Sequence, residues 1–383
     1  MKKIKIILSF CLVFFSLLYG NINATNLNLQ SKYVGVYKAD DMKLLYGKNE
    51  EEVISIASMT KIMTAIVSIE NISDLNEKVT IDYSLIADKI STDLAVCGIK
   101  DGQILTYYDL IATTLIPSGA DSALYLANII FGDYDTFISK MNDKAKDIGM
   151  TNTSFDNPVG LDSENNYSTI SDVAKLLKYA LENDTLKEMM STSSYITSDG
   201  TLTVGHTINK SASRSGVALN NILGGKTGTT GDAGICLASF SDDDGIKLIS
   251  VVAGASMYSS RPHNIIDSEN LFEYIKNSYN ERDIISQGED IIEVKSAACN
   301  NEIIKFYADK SIVRYEAPVD KSKLSYEYIK NENPTNAIVK DTKVGEVKVY
   351  YNGEYLETVD LKLSENIDFK IIDWAKNNLL GIS

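Results

Sequence analysis

Ser58 and Lys61, three residues apart in IASMTKIMTAIVSIEN, are the first side chains in this sequence whose spacing suits chemistry. On a helix, residues three apart share a face. A lysine partly desolvated there, or set beside another cation, favours its neutral form and can take a proton from the serine hydroxyl. The start of a helix also presents unpaired backbone N–H groups and a positive dipole end, both suited to a developing oxyanion. The chemistry would be acyl transfer through a serine ester. The plain alternative is a helix-capping serine followed by a solvated lysine. Against it, this Ser-x-x-Lys occurs once in the chain, and the residues around Lys61 are nearly all apolar. A second lysine, Lys226 in GGKTGTT, stands among glycines and threonines whose small side chains let another backbone approach, as in peptide binding by strand addition. Read alone, an ordinary Gly-rich turn explains that stretch equally well.

These residues need elements to hold them. Apolar positions at Met59, Ile62, Met63, Ile66, Val67 and Ile69 predict a helix after Ser58 that is buried along most of its girth. Upstream, KYVGVYKADDMKLLYGKN predicts two strands joined by a polar turn from Ala39 to Met42. From Asp82 to about Asp147 helices are expected, one stopping at Pro117 and the next starting after the turn Pro117-Ser118-Gly119-Ala120. A Gly/Asn/Pro-rich loop in TSFDNPVGLDSENNYSTISDVAKLL then leads into a helix capped by Ser171 or Thr169, beyond which the chain reads as strand. The run from GGKTGTT to VVAGAS predicts a strand hairpin turning at Asp242-Asp243-Asp244-Gly245. From about Asp283 to Asn366, short Val/Ile/Tyr runs and the Asn352-Gly353 hairpin signal predict a second, all-β domain. The last residues, 367–383, carry Ile367, Ile371, Trp374 and Leu379 at the spacing of a short amphipathic helix.

With 383 residues and 44% hydrophobic content, the chain has room for two or three domains and a sizeable core. A net charge of −15 argues against a nucleic-acid partner, which needs clustered Lys and Arg. The chain's two histidines, His206 and His263, argue against both a Ser-His-Asp triad and a zinc site, and no cofactor is expected. Residues 1–24, MKKIKIILSFCLVFFSLLYGNINA, read as a secretory signal peptide: lysines, an apolar run from Ile6 to about Leu18, then Ile-Asn-Ala. A retained membrane helix is the weaker alternative because the run is short. The mature chain is expected to begin near Thr25 and to work outside the cytoplasm, in the cell wall or at the outer face of the membrane. Cys97, Cys236 and Cys299 would remain, odd in number and widely spaced, so no disulfide framework follows.

Taken together, Ser58-Met59-Thr60-Lys61, Pro117-Ser118-Gly119 and Lys226-Thr227-Gly228 resemble the active-site set of penicillin-binding proteins and serine β-lactamases. The similarity is greatest to the low-molecular-mass D-alanyl-D-alanine carboxypeptidases, through LLYGKNEEEVISIASMTKIMTA, PSGADSALYLA, MNDKAKDIGMTNTSFDNPVGLD, YSTISDVAKL and GGKTGTTGDAG in that order. The resemblance implies an α/β (α+β) transpeptidase-like fold with an all-helical subregion over 25–282, followed by a small β-rich domain over 283–366. It implies Ser58 as nucleophile toward the bond between two terminal D-alanines of peptidoglycan stem peptides, Lys61 as general base, and Ser118 as a proton relay to the leaving amine. Lys226 would hold Ser118, and the N–H groups of Ser58 and Thr229 would form the oxyanion hole. Lys226, Thr227, Gly228, Thr229 and Arg261 would bind substrate, with Thr227, Thr229 and Arg261 in SMYSSRPHN on its terminal carboxylate; Arg261 rests on spacing, and its other reading is a surface arginine. β-Lactams would acylate the same serine.

One position departs from the family pattern. Its middle motif usually ends in Asn, whereas this chain has Ala120, and a methyl group cannot replace the amide's hydrogen bonds. Losing one such contact costs on the order of 1–3 kcal/mol, roughly ten- to a hundredfold in rate, unless Asp121 or a water compensates. A β-lactamase with a loop glutamate would show Glu-x-x-x-Asn; NPVGLDSENNYS holds Glu164 without that spacing. A D,D-endopeptidase that cuts cross-links, or a peptidoglycan- and penicillin-binding protein of low activity because of Ala120, remain as readings. The C-terminal helix reads as a cap on the β domain, an in-plane anchor making peripheral membrane contact, or an unstructured tail; Asp368 and Asp373 argue against firm anchoring.

Overall fold

A computed structural model of the chain describes residues 27–243, 245–295, 303–316, 319–330 and 339–366. The leader expected over 1–24 and the helix expected over 367–383 lie outside the described residues. The chain divides into two compact units, 1–272 and 273–383, an earlier division than the expected 282/283.

The first unit runs β1 (Tyr33–Lys38), β2 (Leu44–Lys48), α1 (Thr60–Asn71), β3 (Lys78–Thr80), β4 (Ile104–Thr106), α2 (Tyr107–Leu115), α3 (Ala120–Ile129), α4 (Tyr134–Asp147), α5 (Ile170–Leu181), α6 (Asp184–Ser191), β5 (Ser194–Ile196), β6 (Thr203–Gly205), α7 (Thr207–Ser215), β7 (Gly224–Thr230), β8 (Gly234–Asp243) and β9 (Ile246–Ala255). Helix α8 (His263–Ser278) follows. Strands β2-β1-β9-β8-β7 form one antiparallel sheet in that order, so β7, the strand of GGKTGTT, lies at an edge. Inner strands β8 and β9 are covered on both faces and therefore carry long apolar runs. Helix α5 lies across β1, β8 and β9, and α1 packs among α2, α3, α4 and α5. Every residue of α1 from Thr60 to Ser68 is buried, as the all-round apolar pattern requires.

Two expectations about this unit need correction. The stretch from Asp82 to Gln103 is not helical: it holds one 3₁₀ turn, Tyr83–Leu85, and otherwise runs as loop. Gly98 and Gly102 take left-handed φ, and the N–H groups of Cys97, Gly98 and Ile99 bond to the Asp121 carboxylate instead of to a helical turn. The segment after α5, expected as strand, instead contains helices α6 and α7 with only the short strands β5 and β6 between them. At α5 the cap is Thr169, whose hydroxyl accepts from Asp172 N–H, while Ser171 turns to Tyr37.

The second unit contains β10 (Asn280–Ile285), β11 (Asp290–Lys295), β12 (Ile303–Ala308), β13 (Ile312–Glu316), β14 (Leu324–Lys330), β15 (Lys343–Tyr351) and β16 (Glu354–Leu363). Strand β10 pairs with β13, so the β-rich part begins before residue 283. Strands β11-β12-β16-β15-β14 make an antiparallel sheet around Phe306, Val347, Val349, Val359 and Leu361. Asn352 and Gly353, both at positive φ, turn the β15–β16 hairpin.

Candidate active site

Ser58 stands in the 3₁₀ turn Ala57–Met59 that leads into α1, and neither end carries a side-chain cap bond. The hydroxyl is therefore not the helix cap. It accepts a hydrogen bond from Lys61 Nζ at 2.8 Å. Lys61 is 1% exposed and gives its other bond to the carbonyl of Val159 at 2.9 Å. Both acceptors are neutral. Burial lowers the pKa of Lys61 from 10.5 to about 7, against the opposing pull of the Asp121 carboxylate. A base that is half neutral near neutrality, bonded to a serine hydroxyl, is what general-base catalysis requires.

Val159 was not legible as a site residue, since a backbone acceptor leaves no residue-type signal. It belongs to the loop DNPVGLD, which is folded around Asn157: Asn157 Oδ1 accepts from the N–H groups of Val159, Gly160 and Leu161 at 3.2, 2.7 and 3.0 Å. Thr64 of α1 donates to Pro158 O at 2.6 Å, and Thr230 of β7 donates to Asp162 at 2.7 Å. The loop thus joins the Ser58 helix to the edge strand. Glu164, considered above as a hydrolytic base, is exposed.

The second pair repeats the first. Ser118, at the turn between α2 and α3, has φ +67° and is 6% exposed. Its hydroxyl accepts from Lys226 Nζ at 2.8 Å, and Lys226 also donates to Thr227 O at 2.8 Å. Lys226 is completely buried, which together with the nearby positive charge of Lys61 holds its pKa well below the ordinary lysine value. Ala57 (φ +48°) and Ser118 both take left-handed backbone, strain of the kind that gathers at functional sites. Ala120 is buried at the start of α3 and offers only a methyl group. Asp121 does not replace the missing amide by hydrogen bonding, because its oxygens face away to residues 97–99.

Strand β7 closes the site. Gly228 lies so near the Ser58 turn that an added Cβ would sit 3.0 Å from Ser58 N and 2.9 Å from Ala57 Cβ. Thr227 donates to Thr207 Oγ1 at 2.7 Å, and Thr229 to Gly228 O at 2.8 Å. Thr227, Thr229 and Arg261 line one cavity of about 350 Å³ together with Ser211 and Ser259. Ser58, Lys61, Ser118, Lys226 and Gly228 come together around the two Ser–Lys pairs, while exposed Arg261 lines the cavity beside Thr227 and Thr229 and not beside Ser58.

A family profile described as D-alanyl-D-alanine carboxypeptidase, peptidase S11, matches residues 22–257. The chain belongs to this family. It is a serine-type D-alanyl-D-alanine carboxypeptidase of the low-molecular-mass penicillin-binding-protein type, and residues 279–368 match the profile of the penicillin-binding protein 5 C-terminal domain. The D-alanyl-D-alanine carboxypeptidase DacF of Bacillus subtilis (strain 168) is 25% identical over 88% of this chain and 86% of its own length. A D-alanyl-D-alanine endopeptidase of Escherichia coli (strain K12) is 35% identical over 35% of this chain and 42% of that protein. In fold, the crystal structure of penicillin binding protein 5 from Haemophilus influenzae superposes with a TM-score of 0.64, covering 89% of this chain and 98% of that one at 21% identity.

In this S11 peptidase one buried histidine also bears on the site. His206 is 1% exposed and caps α7 by accepting from Ile208 N–H at Nδ1. Burial, then the charge of Lys226, lowers its pKa from 6.5 to about 4. A folded-state pKa below the unfolded one means the unfolded chain binds the extra proton between pH 6.5 and 4, so this stability is present above 6.5 and lost as pH falls toward 4. The loss amounts to about 3 kcal/mol. His206→Asn keeps a cap acceptor without the titration. Its melting temperature is therefore expected to fall less than that of the wild type between pH 6.5 and 4, and parallel curves would rule this out.

Proposed function

We propose that Ser58 removes the terminal D-alanine of peptidoglycan stem peptides through an acyl-enzyme. Neutral Lys61 takes the hydroxyl proton as Ser58 Oγ bonds to the carbonyl carbon of the penultimate D-alanine. The N–H groups of Ser58 and Thr229 hold the oxyanion. As the C–N bond breaks, the leaving amine receives a proton through Ser118, which Lys226 keeps in place. The terminal carboxylate lies against Thr227, Thr229 and Arg261, and water then hydrolyses the Ser58 ester. The observation that carries this reading is the pair of Ser–Lys bonds, each 2.8 Å, with both lysines buried and neither bonded to a carboxylate among the described residues.

A second reading, cleavage of cross-links as a D,D-endopeptidase, is supported by the similarity to the E. coli endopeptidase. We further propose export by residues 1–24; the membrane-contact reading of residues 367–383 draws on their helical spacing alone. Among the described residues no helix is long and apolar enough to cross a membrane.

Intact-protein mass spectrometry with a penicillin and with a pentapeptide ending in D-Ala-D-Ala tests the proposal. One covalent adduct, absent in Ser58→Ala, together with release of D-alanine is expected, on a chain whose mass begins near Thr25. Folded protein that forms no adduct would instead be a peptidoglycan-binding protein, and cleavage of cross-linked stem-peptide dimers to monomers without release of D-alanine from the pentapeptide would make it an endopeptidase.

A further inference from the structure

Lys61 and Lys226 bring two amino groups into one buried site, and each donates to a hydroxyl and a carbonyl. The carboxylate whose charge reaches Lys61 is Asp121, in the first turn of α3 and three residues beyond Ser118. It is completely buried. Its oxygens accept from the N–H groups of Cys97, Gly98 and Ile99 at 2.9, 2.8 and 3.1 Å and from the Cys97 thiol at 3.2 Å. Next to it, Ala120 N–H donates to Ala95 O at 2.8 Å, and Ser122 Oγ lies 3.1 Å from Cys97 Sγ. The 95–99 stretch is therefore stitched to α3 immediately after the strained turn that carries Ser118.

We propose that Asp121 is a positioning residue of the reaction: it clamps residues 95–99 beside the Ser118 turn and supplies, from a distance, the negative charge that balances Lys61. This rests on the acyl-transfer reading above. A carboxylate fits both tasks because it is acceptor-only, so three backbone donors can converge on it. An amide in its place would turn an NH₂ toward those donors and carry no charge. With no amide at position 120, Lys61 is oriented by Ser58 and Val159, and the Asp121 carboxylate favours its charged form.

The groups facing this pair from neighbouring elements are Lys226 on β7, His206 beside Lys226, and Tyr83 and Cys97 in the loop against Asp121. Tyr83 and Cys97 are pushed upward and stay neutral near pH 7, while His206 titrates near 4. The charge change near neutrality falls on Lys61, while burial and the charge of Lys61 hold Lys226 well below the ordinary lysine range. Removing the Asp121 charge disfavours protonated Lys61, so Lys61 becomes neutral at lower pH.

The test is the pH dependence of acylation by a chromogenic cephalosporin in the wild type, Asp121→Asn and Asp121→Glu. In Asp121→Asn the acid limb is expected to move about one pH unit lower, the effect of one nearby opposite charge, while the plateau falls roughly tenfold as the clamp loosens. Asp121→Glu keeps the charge, so its limb should stay in place with a lower plateau. NMR titration of ¹³C-labelled lysine in the wild type and Asp121→Asn reads the same shift at Lys61 without turnover. Uniformly lowered rates with an unmoved limb and an unmoved Lys61 titration, or a limb that moves in Asp121→Glu, would overturn the inference. Absence of any wild-type adduct at Ser58 would count against the acyl-transfer reading instead, and the NMR titration would still decide the role of Asp121.

Discussion

Replacing Lys61 by methionine is expected to slow acylation of Ser58 by about 10³-fold and, below neutral pH, to make the protein more stable. The kinetic loss follows from geometry: Lys61 Nζ lies 2.8 Å from Ser58 Oγ, and the hydroxyl's other contact, Val159 O at 3.4 Å, is a carbonyl too weakly basic to take its proton. The gain in stability follows from the same burial. A pKa lowered from 10.5 to about 7 means the folded chain below pH 7 carries a charge it holds at a cost of about 4–5 kcal/mol. Between pH 7 and 10.5 the unfolded chain binds a proton the folded chain has shed, so wild-type stability rises with pH across that window. Methionine removes the charge but leaves Val159 O and Ser58 Oγ without their donor, which returns about 1–3 kcal/mol. A net gain of about 2 kcal/mol should therefore appear at pH 6 and shrink toward pH 10. Thermal unfolding at the two pH values, with the acylation rate from the cephalosporin, measures both effects. A variant that acylates at the wild-type rate would remove Lys61 from the role of base, and one less stable at pH 6 than at pH 10 relative to wild type would refute the burial cost.

The site's side chains were legible in the sequence because each sits in a local pattern. Ser58 and Lys61 share a helical face, Ser118 lies in a Pro-Ser-Gly turn, and Lys226 stands among small residues on an edge strand. What the sequence did not show is how backbone carbonyls and distant charges finish the site. Val159 O is placed by an Asn157 turn, and Asp121 acts on Lys61 while bonded elsewhere. In the fold, the strands of the main sheet and the Asn352-Gly353 hairpin followed from alternation and turn chemistry. Helix α7 did not: TINKSASRS is mostly polar, only Ile208 and Ala212 are buried in it, and its cap is a histidine, a residue type that seldom signals a helix start. The 82–103 stretch sets apolar residues such as Ile86 and Ile99 into the core without helical turns, because side-chain bonds from Asp121 and Asp82 fix its backbone.

Gly160→Ala should be the most damaging single-methyl change near the site. Gly160 has φ +86°, and an added Cβ would lie 1.9 Å from Ala57 O and 2.9 Å from Ser58 N. Both neighbours are backbone, so no side-chain rotation relieves the overlap. Either the Ser58 turn or the 157–161 loop must shift, and in both cases Val159 O leaves Lys61, whose ammonium then loses one of its two acceptors. The expected result is a loss of about 3 kcal/mol in stability and at least about a hundredfold in acylation rate. Gly200→Ala separates the two causes, because Gly200 also has positive φ (+72°) but nothing lies within 4 Å of an added Cβ. That variant carries only the left-handed backbone cost, about 1 kcal/mol, and should acylate normally. Chemical denaturation and adduct formation on both variants measure the difference. If Gly160→Ala behaved like Gly200→Ala, the close contact between the 157–161 loop and the Ser58 turn would not be what holds the nucleophile in place.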